Sequence, residues 1–487
     1  MIIPEIKIHD KFSIETKVGF VPDQNDTDFS EFKINTWIYV PNSLDINRST
    51  YTKEQFYRDT KNNIRLITPV YTIAGILEEG RGPIPRLQRA IGELLGEPDS
   101  EAKTENYLYQ VKMFACITKS ALRDQTNFIL CERDNVFLKK RIDKLVEQIR
   151  EISERFRSQY SRLEVDTISD KQRDYFLFGD EFWANTIAQH VFRIMVAHKN
   201  NPEFAELKKP LVELLLDEQD YKRKMGYQLP IEGNDDHNKL LVIKRTALKK
   251  FVESDLYLHV TQKKDGALTE QVLYGIAAGV AMIFATVISF FATQRFGNFT
   301  TDLFIILVIS YIGKDRIKDL MRYYFSSHMS RKYFDHKRKL NVRNQEIGWI
   351  KESFDVIPEE RVPEEIQALR NRSPLVEAEN QIYDEKVMMY RKLVRLLRKD
   401  IEKYKQYRLT GINDITRFNL SGFVQKMADP TLPLYMVDAD NGYKTIKGYK
   451  EYPLYMIIAC VSNNETYYRK YRLLINKKGI SDVSELD

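Results

Sequence analysis

The first apolar pattern along the chain alternates with polar residues, as β-strands do. Residues Phe32 to Val40 read FKINTWIYV and end at Pro41, so every second side chain can face a core. This alternation predicts a small N-terminal sheet. The same kind of pattern returns near the other end, in Leu434 to Val437, Tyr452 to Val461 and Thr466 to Ile475. It predicts a second small sheet, with Ser462 to Glu465 as a hairpin turn.

Between these ends, two segments carry apolar residues at alternating steps of three and four, which is the heptad seam of a coiled coil. The first seam is Leu138, Ile142, Leu145, Ile149, Ile152 and Phe156, and the second is Tyr383, Val387, Tyr390, Val394, Leu397, Ile401 and Tyr404. Each seam is short for an autonomous coiled coil. Pairing of the two helices within one chain is therefore favoured, and dimerisation through them stays open.

A third pattern is apolar on every face. Val272 to Thr293 carries no charge, and about 20 apolar residues in a helix span the roughly 30 Å core of a bilayer. A shorter apolar segment, Phe299 to Ile312, follows it. Lys263 and Lys264 precede the first segment and a basic run follows the second, and positive residues mark cytosolic flanks. We therefore predict a two-helix transmembrane hairpin with both termini in the cytoplasm.

The first predicted span has small residues four apart, a spacing that lets helix backbones approach closely. They are Gly275, Gly279, Ala281, Ala285 and Ser289. This face is predicted to pack in the membrane, either against the second span or against another copy of the chain.

The basic run after the second span is predicted to face lipid headgroups through Lys314, Arg316, Lys318 and Arg322. Each cation near an anionic membrane surface contributes about 1 kcal/mol of attraction. The net charge of the whole chain is only +6, so this excess is local. The lipid bilayer is thus the expected partner, and a homo-oligomer through the heptad or transmembrane helices is a further one.

Length and composition describe a protein with large water-exposed regions. The chain has 487 residues, of which 30% are charged, enough for several domains with their own cores. Its three cysteines fit neither a disulfide framework nor a zinc site, which indicates a reducing compartment. The N-terminal residues lack the pattern of a signal peptide, so the N-terminal region is expected to stay where it is made.

The predicted fold class is α+β: a mostly helical cytosolic body with small N-terminal and C-terminal sheets and a two-helix transmembrane hairpin. The predicted regions are 1–100 (α+β), 101–265 (helical, with the first seam), 266–325 (hairpin, spans about 271–293 and 299–313), 326–410 (basic segment and long helix) and 411–487 (β-rich).

The sequence carries no familiar enzyme signature: there is no phosphate-binding GxxxxGK[ST], no GxGxxG, no GxSxG and no HExxH. The residues that an unfamiliar catalytic site could use are Asp59, Arg65, Asp235, Asp236 and His237. No metal and no cofactor is predicted. Nucleic-acid binding is disfavoured, because the aromatic and basic residues of Tyr467 to Arg472 would point to both faces of a strand.

Three short segments carry a resemblance to known proteins: FYRD at Phe56 to Asp59, IRLITP at Ile64 to Pro69, and YIGKDRIKD at Tyr311 to Asp319. They resemble segments of an uncharacterised bacterial family of two-pass inner-membrane proteins without an assigned function. The resemblance implies a bacterial inner-membrane location and transfers no catalytic residue.

Three classes of function follow from these patterns. The leading one is a membrane-anchored cytosolic scaffold, sensor or effector that acts through protein contacts. The alternative is an enzyme with an unrecognised site at the cytosolic membrane face. The third is an effector whose hairpin oligomerises and permeabilises the membrane.

Overall fold

The computed structural model describes residues 4–22, 28–201, 204–297, 300–342, 345–382, 385–397, 407, 410–438, 442–462 and 465–486. The chain folds into two compact units. The β unit comprises Met1–Arg65, Leu258–Tyr404 and Gly411–Asp487, and the helical unit comprises Leu66–Tyr257 and Lys405–Thr410.

The strands form an eight-stranded sheet, a four-stranded sheet and a separate two-stranded ribbon. They are β1 (Pro4–Asp10), β2 (Ser13–Phe20), β3 (Phe29–Val40), β4 (Thr60–Leu66), β5 (His259–Lys264), β6 (His336–Val342), β7 (Gln345–Ile357), β8 (Lys386–Leu397), β9 (Ile412–Asn419), β10 (Thr431–Asp438), β11 (Gly442–Tyr449), β12 (Tyr452–Ser462), β13 (Glu465–Asn476) and β14 (Gly479–Leu486). The large sheet has the order β14-β13-β12-β3-β8-β7-β6-β5, the small one β1-β2-β9-β4, and the ribbon is β10-β11. Neighbouring strands of the large sheet and of the ribbon run antiparallel.

The helices lie in both units. They are α1 (Lys53–Asp59), α2 (Pro83–Gly96), α3 (Glu101–Cys131), α4 (Asn135–Arg157), α5 (Asp170–Ala197), α6 (Phe204–Leu207), α7 (Lys209–Lys224), α8 (Asp235–Glu253), α9 (Ala267–Phe296), α10 (Thr301–Lys332), α11 (Glu364–Arg370), α12 (Pro374–Ile382) and α13 (Ser421–Val424). Helix α1 begins with a capping box in which Thr52 and Gln55 satisfy each other's backbone amides.

The predicted fold class is wrong about the sheets. Trp37 of β3 lies opposite Met389 of β8 on one side and Ile457 of β12 on the other. The predicted N-terminal and C-terminal sheets are therefore parts of one sheet, and its core includes Trp37, Val387 and Ile457. Hydrogen bonds between strands hundreds of residues apart leave no signal in a local pattern, which is why the two ends were predicted separately.

The second predicted heptad helix is also wrong, because Lys386–Leu397 is the central strand β8. Its buried side chains include every second residue from Met388 to Leu396, the period of a strand. Lys392 belongs to this buried row, and its charge obscures the alternation in the sequence. Its burial is possible because its ammonium group is paired with the buried Asp414. Seam residues Tyr383, Ile401 and Tyr404 lie outside the described residues.

The first predicted heptad helix is confirmed as α4. Its six seam residues, from Leu138 to Phe156, are all buried within the helical unit. The ring of Phe156 is stacked between those of Phe114 and Phe176, with centroids 4.1 and 4.5 Å away. The seam is thus covered by the helices of its own unit, and β8 is not its partner.

The predicted two-helix transmembrane hairpin is wrong. Among the helices in the described residues, only α9 has the length and composition to cross a membrane. The apolar part of α10, Leu303 to Ile312, is about 15 Å long at 1.5 Å per residue, half of the roughly 30 Å hydrocarbon core.

The register of α9 against α10 gives the physical reason. A Cβ on Gly313 would lie 3.2 Å from the Phe284 ring, and the Arg322 guanidinium is 5.6 Å from the centre of the Tyr274 ring. The charged residues between Gly313 and Arg322 therefore lie beside the apolar stretch of α9. A second crossing would place those charges at hydrocarbon depth, where each costs about 2.5–3.5 kcal/mol.

The predicted C-terminal strands are confirmed. Leu434–Val437 lies in β10, Tyr452–Val461 in β12 and Thr466–Ile475 in β13. Strands β12 and β13 form the predicted hairpin, with Ser462 opposite Glu465. The two asparagines of its turn lie outside the described residues.

Candidate functional site

Helices α9 and α10 form one long insertion between two neighbouring strands of the large sheet. Strand β5 ends at Lys264 and β6 begins at His336, and these two residues are paired across the ladder. The chain therefore leaves the sheet and returns to it at a single place. We call this place the junction, defined by Lys264–Gly266 and Tyr333–His336.

The entry to α9 is a tight turn built on Asp265 and Gly266. Gly266 has φ +70°, a left-handed conformation that glycine adopts without steric cost, and a Cβ there would lie 2.7 Å from the Tyr333 ring. The Asp265 carboxylate is 3.0 Å from the Lys351 ammonium and accepts a hydrogen bond from the Phe334 amide at 3.3 Å. The start of the insertion is thus bound both to its own end and to strand β7.

The exit from α10 is bound through Asp335. Its carboxylate accepts hydrogen bonds from the Lys53 ammonium at 2.7 Å, the Tyr57 hydroxyl at 3.0 Å and the Phe354 amide at 2.8 Å. Burial, followed by the nearby charges of Asp335 and Glu352, raises the pKa of Tyr57. Its hydroxyl therefore stays protonated and keeps donating to Asp335 at physiological pH.

Glu352 adds a fully buried carboxylate next to the junction. Its Oε1 is 2.7 Å from Arg338 Nη2, and its Oε2 accepts hydrogen bonds from the Tyr390 hydroxyl at 2.7 Å and the Asn62 amide at 3.1 Å. Burial and the adjacent Glu352 charge raise the pKa of Tyr390. The Glu352 backbone carbonyl also accepts from the Asp335 amide at 2.9 Å, so this network and the junction are directly bonded.

Two clefts open beside helix α1. The one at the junction has a volume of about 480 Å³, and the second measures about 720 Å³. Lys53 and Glu54 line both clefts. The remaining charged residues that line them are Arg48, Lys264, Asp265, Glu270, Asp335, Asp355, Arg361 and Arg391. Three ion pairs join these groups: Arg48 with Asp355 at 2.8 Å, Lys53 with Asp335 at 2.7 Å, and Lys264 with Glu270 at 2.5 Å. These ion pairs and hydrogen bonds connect α1, the large sheet and the insertion with one another.

The five small residues predicted to pack in the membrane divide between two faces of α9. Ala281 is buried, and Ala285 and Ser289 are half-buried, on the side that also carries the buried Ala277 and Ala292. Gly275 and Gly279 are exposed, and a Cβ on either would meet nothing within 4 Å. Whether the glycine face packs against another copy stays a prediction.

The four predicted headgroup-facing residues lie on α10 in two environments. Arg316 and Arg322 are exposed, whereas Lys314 and Lys318 are half-buried. The Lys314 ammonium lies 3.7 Å from the centre of the Tyr311 ring, and Lys318 donates to Asp315 at 3.0 Å. Contact of these residues with lipid stays a prediction.

The five candidate catalytic residues are divided between the two units. In the β unit, Asp59 accepts a hydrogen bond from the Tyr51 hydroxyl at 3.0 Å, and Arg65 is half-buried in β4. In the helical unit, Asp235, Asp236 and His237 form the first turn of α8. Asp236 is exposed and paired with Lys239.

No three histidine, cysteine or carboxylate side chains in the described part of the chain lie close enough to hold a metal ion together. Asp265 and Asp335 were missed by the search for catalytic patterns. A signal was present, since each directly flanks the insertion and Asp335 interrupts a run of basic residues. Their ion pairs, with Lys351 and Lys53, could not be predicted from the sequence because the partners lie far away along the chain.

No protein-family model, curated protein or solved structure matches the chain. The resemblance to a bacterial inner-membrane family therefore stays a prediction.

Proposed function

We propose that this protein is a membrane-associated scaffold or sensor in which α9 contacts lipid and the junction transmits the state of the insertion to the β unit. We further propose that it acts at the cytosolic face of a bacterial inner membrane, because basic residues flank the insertion at both ends.

The exposed surface of α9 carries this proposal. Only 17% of the residues in the apolar stretch of α9 are buried, and Ile283, Phe290 and Phe291 are each about two-thirds exposed or more. Moving one such side chain from water into an apolar environment is favourable by about 1.5–3 kcal/mol. If α9 were a core helix of a water-soluble protein, other parts of the protein would cover these side chains.

Vesicle flotation of the full chain tests lipid contact. We expect the wild type to float with lipid vesicles and the double variant Ile283→Arg/Phe290→Arg to stay in solution. The matched control is Leu240→Arg/Ile243→Arg on α8 of the helical unit, whose side chains are similarly exposed, and it should float normally. Failure of the wild type to float, or unchanged flotation of the α9 variant, would overturn the lipid contact.

Hydrogen exchange with and without vesicles tests transmission through the junction. We expect vesicle binding to change exchange in α1 and β6 as well as in α9, and Asp335→Asn to confine the change to the helices. The control Asp355→Asn removes a carboxylate that is nearly half-exposed and is paired with Arg48 at the cleft, and should keep the wild-type response. A wild-type response limited to α9 and α10 would contradict the sensor role.

A further inference from the structure

The β10–β11 ribbon exposes apolar side chains along its whole length. The two strands pair with each other from Thr431 opposite Tyr449 to Asp438 opposite Gly442, and among the residues that the structure describes neither joins another sheet. Its large exposed apolar residues are Leu432, Leu434, Tyr435, Met436, Val437, Tyr443, Ile446 and Tyr449. An isolated two-stranded ribbon is only marginally stable in water, and apolar patches of this kind mark contact surfaces.

The register of the ribbon separates these residues into two faces. We call the first the aliphatic face, which carries Leu432, Leu434, Met436 and Ile446, with Lys444 and Asp438 near its tip. The opposite, tyrosine face consists of Tyr435, Val437, Tyr443 and Tyr449, with Lys447. Each tyrosine carries a hydroxyl that water can solvate. On the aliphatic face the charged side chains, Lys444 and Asp438, lie near the tip, so the rest of this face has no polar group that water can solvate.

Strand directions connect the ribbon with the lipid-contacting insertion. Four steps across the antiparallel ladder separate β6 from β12, so these two strands run parallel. Helix α10 leads into the beginning of β6, and the ribbon leads into the beginning of β12 at Tyr452. Both exposed apolar elements are therefore connected to the large sheet at the same edge, by which we mean the end of the sheet where β6 and β12 begin. Strand β13 begins at the opposite end.

We propose that the aliphatic face of the ribbon is a second membrane contact that lies on an anionic lipid surface. Lys444, Lys447 and Lys450 supply positive charge on or next to the strands, and each contributes about 1 kcal/mol of attraction near anionic lipid. Tyrosine and lysine side chains suit the boundary between water and hydrocarbon, because each combines an apolar body with a polar end. This inference rests on the lipid contact of α9 proposed above.

Site-specific labels on the full chain test the ribbon separately from α9. An environment-sensitive fluorophore is attached to Met436→Cys on the aliphatic face, Val437→Cys on the tyrosine face, or Thr466→Cys at the opposite edge. Each variant also carries Cys131→Ser, since Cys131 is exposed while Cys116 and Cys460 are buried. The probes are vesicles of phosphatidylcholine and phosphatidylserine containing a lipid with a nitroxide on its acyl chain.

We expect quenching of the Met436 label to be several-fold stronger than that of the Val437 label, with no quenching at Thr466. Lys444→Gln/Lys447→Gln should weaken the effect, as should vesicles without phosphatidylserine. If the protein floats but the Met436 label stays as accessible as Thr466, the ribbon inference is wrong and the α9 contact stands. If the Met436 label is shielded without vesicles, increasingly with protein concentration, a second copy covers this face and the inference is also wrong.

Discussion

The eight-stranded sheet and helix α9 differ in where their apolar side chains lie: they are buried in the sheet and mostly exposed on α9. The sheet buries Trp37 and Ile457 and pairs its buried charges, as Glu352 pairs with Arg338 and Lys392 with Asp414. Helix α9 instead has apolar side chains over most of its exposed surface. The sheet therefore excludes water with its own chain, whereas α9 leaves most of its apolar side chains exposed.

The comparison teaches where a substitution should act. In the sheet, a missing group leaves a buried partner without compensation, so stability should suffer. On the outer side of α9, a change should leave folding almost intact and should act on association.

Glu352→Ala should destabilise the β unit by about 3 kcal/mol, because it leaves the largely buried Arg338 side chain without its counter-ion and the buried Tyr390 hydroxyl without its acceptor. Urea unfolding followed by tryptophan fluorescence in a Trp183→Phe background measures this, since the remaining tryptophans, Trp37 and Trp349, both lie in the β unit. Glu346→Ala on the same strand removes an exposed pair with Lys339 and should cost less than about 1 kcal/mol. Equal losses from both variants would contradict the contrast.

His190 of α5 extends the contrast to the helical unit. Burial, then the cations Arg193, Lys119 and Arg123, lowers its pKa to about 4. The folded state thus binds this proton less readily than the unfolded state, whose histidine has a pKa of about 6.5. Stability should therefore fall by up to about 3 kcal/mol as pH drops from about 6.5 to about 4.

Comparing the unfolding of wild type and His190→Gln across this pH range checks the prediction. The variant should lose this part of the pH dependence, whereas His259→Gln, which replaces an exposed histidine of β5, should retain it. An unchanged pH profile for His190→Gln would show that other groups account for the dependence.

Two glycines of the insertion should respond in opposite directions to alanine. Gly266→Ala should lower the local stability of the junction by about 1–2 kcal/mol, because a left-handed backbone disfavours a side chain, and the Tyr333 ring must also move. Gly279→Ala should instead stabilise the middle of α9 by about 0.5–1 kcal/mol, since the added methyl meets no neighbour. Hydrogen exchange of the two segments measures both effects. A loss of stability in Gly279→Ala would indicate that the glycine face is covered by another copy.

Strong local patterns predicted their elements well. The apolar stretch from Val272 to Thr293 is a helix, the seam of α4 is buried, and the C-terminal strands form where they were expected. The patterns failed where a charge lies inside the fold. Lys392 and Glu352 look like surface residues in the sequence, and only their partners on other strands make their burial tolerable.

The candidate site was the least predictable part. Asp265 and Asp335 lie about 70 residues apart in sequence, and the junction exists because pairing of β5 with β6 brings them together. The second transmembrane span was predicted wrongly for the same reason. Only the register of α10 against α9 shows that charged residues of α10 lie beside the apolar stretch of α9.

By itself, the sequence determined which segments have an apolar face and which period that face follows, because neighbouring side chains and backbone preferences set both. Which element covers each face depended on the tertiary structure: β8 is a central strand, α9 packs against α10, and the glycines and the ribbon are exposed. Whether a face is covered depends on contacts with elements far away in sequence. It therefore cannot be predicted from one segment without knowing which other segment packs against it.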